Sequence, residues 1–430
     1  MRVCERILNF VQIINYKGDI RLCSWLRNNI VGSLSENTFE EIWQSDKYRN
    51  LIKKLADGDY SFCDIDACPY LAMNTINDHL VEIDDFPKYP DHLYLAYEQV
   101  CNYKCTVCTS HVADVHIEHN TAEKAYAVIE ERLKPVLPHL KHISAHGRGE
   151  LFASPHILNQ LANWKPLAPK EECSVGLETN GSLFDEKHWK QIENLGQYNL
   201  RVAITVMSFD EYIYQTLSGV KYPISKIENS LRFVKKLREQ GIINHLELAT
   251  VVQERNFYTM PEFVRRCADE FGADSIRLRP YVQHGSGRPE LDWFTDVRGK
   301  YHPYHEEYLE VMKDPIFKHP KVADWSGGRD SKTGDLPQKV LLQNEQTLRN
   351  YESQILGMMI VNDHVFDNLK KLLKQYKKQV VIFGSSIIAL SMAKKLSETC
   401  KVKYILNLQS NGIWNGIQAV KIDEQPLPPP

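Results

Sequence analysis

Cys101, Cys105 and Cys108 fall in the run CNYKCTVC, directly behind a strand-like stretch from His92 to Val100. The C-x3-C-x2-C spacing offers three thiolates and no nearby fourth cysteine. Four-cysteine sites close a metal's coordination shell, whereas three thiolates on a cubane iron–sulfur cluster leave one iron open to another ligand. An open iron on a loop that leaves a strand is a place for chemistry. The competing reading is a zinc knuckle or a chance cluster. A second group, Cys4, Cys23, Cys63 and Cys68, lies within the first 80 residues and has enough thiolates to close a shell. Cys173, Cys267 and Cys400 have no cysteine companions and read as buried thiols.

The triplet must be positioned by the alternating strand-like and helix-like segments between residues 92 and 282. Six strand candidates stand out: Leu93–Val100, His142–Ala145, Val175–Thr179, Val202–Val206, Leu246–Val252 and Ser275–Leu278. A helical pattern follows each of the first five. Ile227, Leu231, Val234 and Leu237, spaced by four and three, share one helix face. The helix near Pro261 to Glu270 ends at Gly272, a good C-terminal cap. Alternating β and α units imply a parallel sheet. With chemistry at the carboxyl ends of strands, a (β/α)6 partial barrel fits the pattern, and a doubly wound sheet shows the same alternation.

The chain has 430 residues, room for a catalytic domain and one or two smaller modules. An apolar content of 43% and a charged content of 25% are ordinary for a globular protein. A formal charge of −3 supplies no broad basic field, so nucleic acid is not the favoured partner. No basic, apolar leader opens the chain, and the apolar stretch Val380 to Ala393, broken by Gly384, Ser385 and Ser386, is too short to span a bilayer. Ten cysteines without a leader read as metal ligands and buried thiols, and a cytoplasmic, low-oxygen setting is expected. From residue 283 to about 340 the chain is irregular and rich in Gly, Pro, His and aromatics. There, His284, Trp293, Tyr301 and His305 are candidates to cap the barrel and select substrate.

The run CNYKCTVC resembles the signature of radical S-adenosylmethionine (radical SAM) enzymes. Asn102 fits that motif, while Val107 stands where an aromatic residue is common. The resemblance implies that Cys101, Cys105 and Cys108 hold a [4Fe–4S] cluster whose fourth iron is chelated by SAM. It implies reductive cleavage of SAM to a 5′-deoxyadenosyl radical, with an electron donor such as flavodoxin or ferredoxin. In HGRGELFASP, Gly147, Gly149 and Glu150 resemble the family's Gly-Gly-Glu motif, where a carboxylate or carbonyl accepts from the amino group of SAM. In LETNGSLF, Thr179 and Asn180 resemble the Thr-Asn-Gly motif behind the third strand. In ITVMSFD, Thr205 replaces a family serine that reaches the ribose and carboxylate of SAM, and Met207 takes an acidic position. Arg279, near the end of the sixth strand, faces either an anionic group of SAM or substrate or a surface carboxylate.

Residues 1–80 resemble a SPASM or twitch module, which binds an auxiliary [4Fe–4S] cluster. The carrying features are the hairpin-like FVQIINYKGDIRLC, the helical TFEEIWQSDKYRNLIKKL and the four cysteines. The module precedes the barrel, whereas in most relatives it follows, and docking on the barrel mouth is the expected arrangement. Near the C-terminus QVVIFGSSIIALSMAKKLSETCKVKYILN looks like a Rossmann-type half-fold over residues 378–425, ahead of the Pro-rich tail. Gly384, Ser386 and Ala389 match the dinucleotide fingerprint poorly, and Asn407 to Gln409 supply no acidic residue for a ribose. The expected architecture is therefore an α/β chain with a partial barrel over residues 92–282, a Cys-rich N-terminal module and a Rossmann-like C-terminal unit. The expected function is a radical SAM oxidoreductase acting on a peptide or protein. A carbohydrate or nucleotide-sugar substrate is one alternative, and a non-catalytic metal-binding scaffold is another.

Overall fold

The computed structural model describes residues 1–26, 29–63, 68–72, 74–108, 119–281, 295–299, 302, 304–324, 380–383, 402–407, 412–414 and 417–421. His284, Trp293, Tyr301, Gly384, Ser386, Ala389 and Cys400 lie outside them. The chain divides into two compact units, residues 1–286 with 306–329, and residues 287–305 with 330–430.

In the first unit the N-terminal residues form β1 (Arg2–Cys4), β2 (Phe10–Ile14), β3 (Asp19–Arg21), β4 (Gly32–Ser33) and β5 (Leu80–Glu82). There follow β6 (His92–Ala96), β7 (His142–Ala145), β8 (Ser174–Thr179), β9 (Asn199–Thr205), β10 (His245–Val252), β11 (Ser275–Pro280) and β12 (Val322–Asp324). β1 and β5 pair antiparallel, and the rest join one ten-stranded sheet in the order β12-β11-β10-β9-β8-β7-β6-β2-β3-β4. From β2 through β12 each neighbour is parallel, and the order follows the chain without a reversal. A doubly wound sheet needs such a reversal.

β6 to β11 are the six strands expected from the sequence. The sheet also recruits β12, beyond residue 282, and β2 from the cysteine-rich module. The module therefore joins the edge of the sheet, pairing Phe10–Ile14 with His92–Ala96, instead of only docking on a barrel mouth. The reason is local. Phe10, Val11 and Ile13 are at most 2% exposed, a continuous apolar run of the kind that parallel strands use. The hairpin from β2 to β3 turns through Asn15 and Gly18, both at positive φ.

Alternation along the strands gives the sheet two unlike faces. Leu93, Leu95, Val175, Leu177, Ile204 and Leu248 are at most 1% exposed. The helix Ile224–Glu239 covers part of this face with Ile227, Leu231, Val234 and Leu237. A Cβ added at Gly181 would lie 2.7 Å from both Ile204 and Ile227, which places helix and sheet in contact there. The intervening positions carry Tyr94, Ser144, Glu178, Thr205, Glu247 and Arg279. Parallel sheets are normally apolar on both faces, so a polar face marks space for a ligand.

Below that polar layer His92, His142 and His245 each meet a serine of the next strand at 2.8 Å: Ser144, Ser174 and Ser275. Burial, with help from His142, holds His92 down to about 3, and burial holds His146 down to about 4. Both rings are therefore neutral in the fold, and the unfolded chain, near 6.5, binds protons first as the pH falls. Their contribution to stability is present above about 6.5 and is lost as the pH drops towards those folded values, at up to about 1.4 kcal/mol per pH unit for each ring. The melting temperature is expected to fall between about pH 7 and pH 5, and His92→Gln is expected to flatten that slope; scanning fluorimetry measures both.

The second unit has a four-stranded sheet of β13 (Val380–Phe383), β14 (Val402–Asn407), β15 (Gly412–Trp414) and β16 (Ile417–Lys421), in the order β13-β14-β16-β15. β14 is parallel to β13 and β16, and β15 is antiparallel to β16. Among the described residues no helix is long and apolar enough to cross a membrane.

Candidate functional site

Cys101, Cys105 and Cys108 lie on the loop that follows β6, each half-buried. The helix Glu211–Ser218 holds this loop from one side: Lys104 N donates to Ser218 O at 3.0 Å and Thr106 N to Leu217 O at 3.0 Å. Gly219 makes the seat possible. Its φ is +64°, and a Cβ there would lie 2.3 Å from Lys104 O. Beneath the loop Met207, Ile213 and Leu217 pack against Cys105, Val107 and Val251. Met207, at the family's acidic position, thus serves packing. Burial pushes Cys101 up to about 11 and Cys105 further, and each thiol feels Cys108 and Glu150. The three form one electrostatic group. Gly219→Ala is expected to unseat the loop, since left-handed backbone alone costs about 1–2 kcal/mol. Iron bound by the three-cysteine site should be lost while that of the N-terminal group stays, read as iron per chain.

The loop after β7 packs against the chain entering the cysteine loop. A Cβ at Gly149 would lie 2.6 Å from Val100 O and 2.9 Å from Glu98 O, and Glu150 N donates to Val100 O at 2.7 Å. Gly147 leaves similar room for the Tyr94 hydroxyl, which would lie 2.5 Å from a Cβ at that position. Glu150 is fully buried, and its carboxylate accepts from Phe152 N at 3.2 Å, Asn180 N at 2.7 Å and the Thr179 hydroxyl. Its carbonyl accepts from Ser154 Oγ at 2.8 Å. The acceptors expected to face SAM are thus engaged by this chain's own donors, and Glu150 ties the β7 loop to the β8 loop.

The β8 loop in turn reaches the cysteines. Asn180 Nδ2 donates to Asn102 Oδ1 at 2.9 Å and lies 4.0 Å from Cys101 Sγ, while Asn102 Nδ2 donates to Ser182 Oγ at 2.9 Å. Thr205 ends β9 on the polar face, half-buried. Arg279 is about a third exposed and is ion-paired: its guanidinium meets Glu247 at 3.2 Å, and Arg277 meets the same carboxylate at 2.6 Å. Glu178, which sequence reasoning missed, stands beside Arg279 and Tyr94, and burial raises its affinity for a proton. A charged residue between Leu177 and Thr179, at an inward position of a strand, was the available signal.

Cys4, Cys23, Cys63 and Cys68 come together around one cavity that is partly open to solvent. Arg6, Trp25, Tyr60 and Tyr70 complete its wall. Burial raises Cys4 and Cys23 and pushes Cys63 up to about 12, with the neighbouring thiols adding to each. Among the described residues no three His, Cys, Asp or Glu side chains are grouped as for a single metal ion. All four thiols line this one cavity. Cys173 and Cys267 are buried at 1% and 0% exposure, as expected.

Residues 99–267 match the family model of the radical SAM superfamily, and residues 4–69 match that of the SPASM iron–sulfur cluster-binding domain. No curated protein matches the chain. Among solved structures it is similar to Streptococcus suis SuiB bound to S-adenosylmethionine, at 14% identity and a TM-score of 0.36 over 65% of this chain and 56% of that one. It thus spans little more than half of SuiB. TYW1 with a lysine-pyruvate adduct bound follows at 16% identity and a TM-score of 0.33, over 51% of this chain and 70% of that one. The radical S-adenosylmethionine methyltransferase TsrM from Kitasatospora setae has 15% identity and a TM-score of 0.28, over 45% of this chain and 37% of that one.

Proposed function

We propose, for a chain that belongs to the radical SAM superfamily and is of the SPASM type, an oxidoreductase that uses two [4Fe–4S] clusters to act on a peptide or protein. The chain is an enzyme of radical SAM chemistry whose cofactors are a [4Fe–4S] cluster and SAM. When bound, they supply an electron that cleaves SAM and a 5′-deoxyadenosyl radical that abstracts hydrogen. In this reading Cys101, Cys105 and Cys108 hold the radical cluster, and Cys4, Cys23, Cys63 and Cys68 hold an auxiliary one. One observation carries it: four thiols converge on one cavity of the same compact unit that presents the three-cysteine loop.

The chain's own residues divide the remaining work. Asn102, Asn180 and Ser182 fix the cysteine loop against the β8 loop. Gly147 and Gly149 let the β7 loop lie close to β6, and Glu150 with Thr179 holds that shape from beneath. Thr205 is the hydroxyl we assign to SAM. Glu178, Glu247 and Arg279 line the polar face on which substrate would lie, Arg279 kept in place by Glu247. The strictly sequential parallel strands support a partial barrel over residues 92–282, beside a SPASM-like module over 1–80. Within residues 283–340, β12 extends the sheet beside β11 and the remainder is assigned to a cap or linker, while β13 to β16 are assigned to a Rossmann-like unit.

The test uses reconstituted enzyme, reductant, SAM and an extract of source cells grown in deuterated medium. Deuterium appearing in 5′-deoxyadenosine, and lost after protease treatment of the extract, is the expected result. A signal that survives protease and disappears after periodate, which cleaves sugar diols, would instead identify a carbohydrate.

A further inference from the structure

Arg6 is half-buried beside the N-terminal cysteines. Its side chain lines the four-cysteine cavity. The guanidinium carbon sits 4.3 Å from the centroid of the Phe10 ring and 4.5 Å from that of Trp25, so two aromatic faces flank it. Cys23, 6% exposed, lines the same cavity, and the Arg6 charge favours its thiolate against the effect of burial. Its Nε is buried and has no hydrogen-bond partner. The neighbouring acid, Glu5, is engaged with His79 at 3.2 Å.

Such a cation has a definite effect on an iron–sulfur cluster. Four thiolates make the site anionic, and one added electron makes it more so. Positive charge and hydrogen bonds to the sulfurs therefore stabilise the reduced form, and both are among the determinants of cluster potential. Flanking by aromatic rings reduces the water around the charge and with it the screening. A planar guanidinium fits this slot and aims its N–H groups rigidly, as an ammonium does not.

We propose that Arg6 is the residue that tunes the auxiliary cluster, raising its reduction potential through its fixed charge in the wall of the four-cysteine cavity. The inference rests on the auxiliary-cluster reading above. The step it governs is a one-electron reduction of the cluster, the electron coming in the test from an external titrant.

The experiment is done in the Cys101→Ala, Cys105→Ala, Cys108→Ala background, so that only the N-terminal site is loaded. A reductive titration followed by electron paramagnetic resonance reads the potential of this background and of added Arg6→Gln, Arg6→Lys and Arg6→Met. Loss of a neighbouring charge of opposite sign is taken as about ten- to a hundredfold in the equilibrium constant for reduction. At about 59 mV per tenfold for one electron, Arg6→Gln should lower the potential by roughly 60–120 mV. Arg6→Lys should recover part of that difference. Arg6→Met, which fills the slot between the rings without charge, carries the same expectation where Gln does not hold iron. An unchanged potential in an iron-loaded neutral variant overturns the proposal, as does iron loss from both neutral variants with retention in Arg6→Lys, which would make the charge structural. Absence of iron from the background itself would overturn the underlying reading of the site instead.

Discussion

Replacing Cys101, Cys105 and Cys108 together with alanine is expected to abolish 5′-deoxyadenosine formation, leaving only the rate of the reagents without protein. The three thiols form one group on a loop clamped by Ser218, Leu217 and Asn180. In the proposed assignment these are the three cluster ligands, and without them the loop would no longer hold the iron that cleaves SAM. The assay is anaerobic turnover with a low-potential reductant, product being read by chromatography. Turnover persisting near the wild-type rate would place the chemistry elsewhere. The fold should survive, because the apolar support under the loop comes from Met207, Ile213 and Leu217.

The same variant is expected to retain about four iron atoms per chain, the content of one [4Fe–4S] cluster. Adding Cys63→Ala and Cys68→Ala should bring iron to background. Cys4 ends β1, Cys23 follows the β2–β3 hairpin, and Cys63 and Cys68 come from the segment after the helix Asp46–Ala56, so these ligands are positioned independently of the β6 loop. Iron and acid-labile sulfide analysis after anaerobic reconstitution measures both variants. Zinc without iron in the triple variant would contradict the assignment.

How far the sequence reaches can be judged strand by strand. Period-two and period-three-to-four patterns identified β6 to β11 and the helix Ile224–Glu239 because each element buries its own apolar residues, a property written locally. The cysteine triplet and the motifs around Gly149 and Thr179 were legible for the same reason: ligand type and spacing are local. By itself, then, the sequence determined the alternating frame, the two groups of cysteines and the class of chemistry they suit.

Only the tertiary structure decided which partners those residues meet. Phe10–Ile14 reads as half of a hairpin, yet it also adds a parallel strand to β6, a pairing between segments about 80 residues apart that no local pattern encodes. Glu150 looks like a ligand-facing carboxylate until Thr179, Asn180 and Phe152 are seen to occupy it. Arg279 acquires its partner, Glu247, from the neighbouring strand, and Arg6 meets Trp25 and Cys23 only when the module closes. A side chain's type is fixed by its codon, but whether its hydrogen bonds are spent within the fold or left for a ligand depends on which distant groups packing brings beside it.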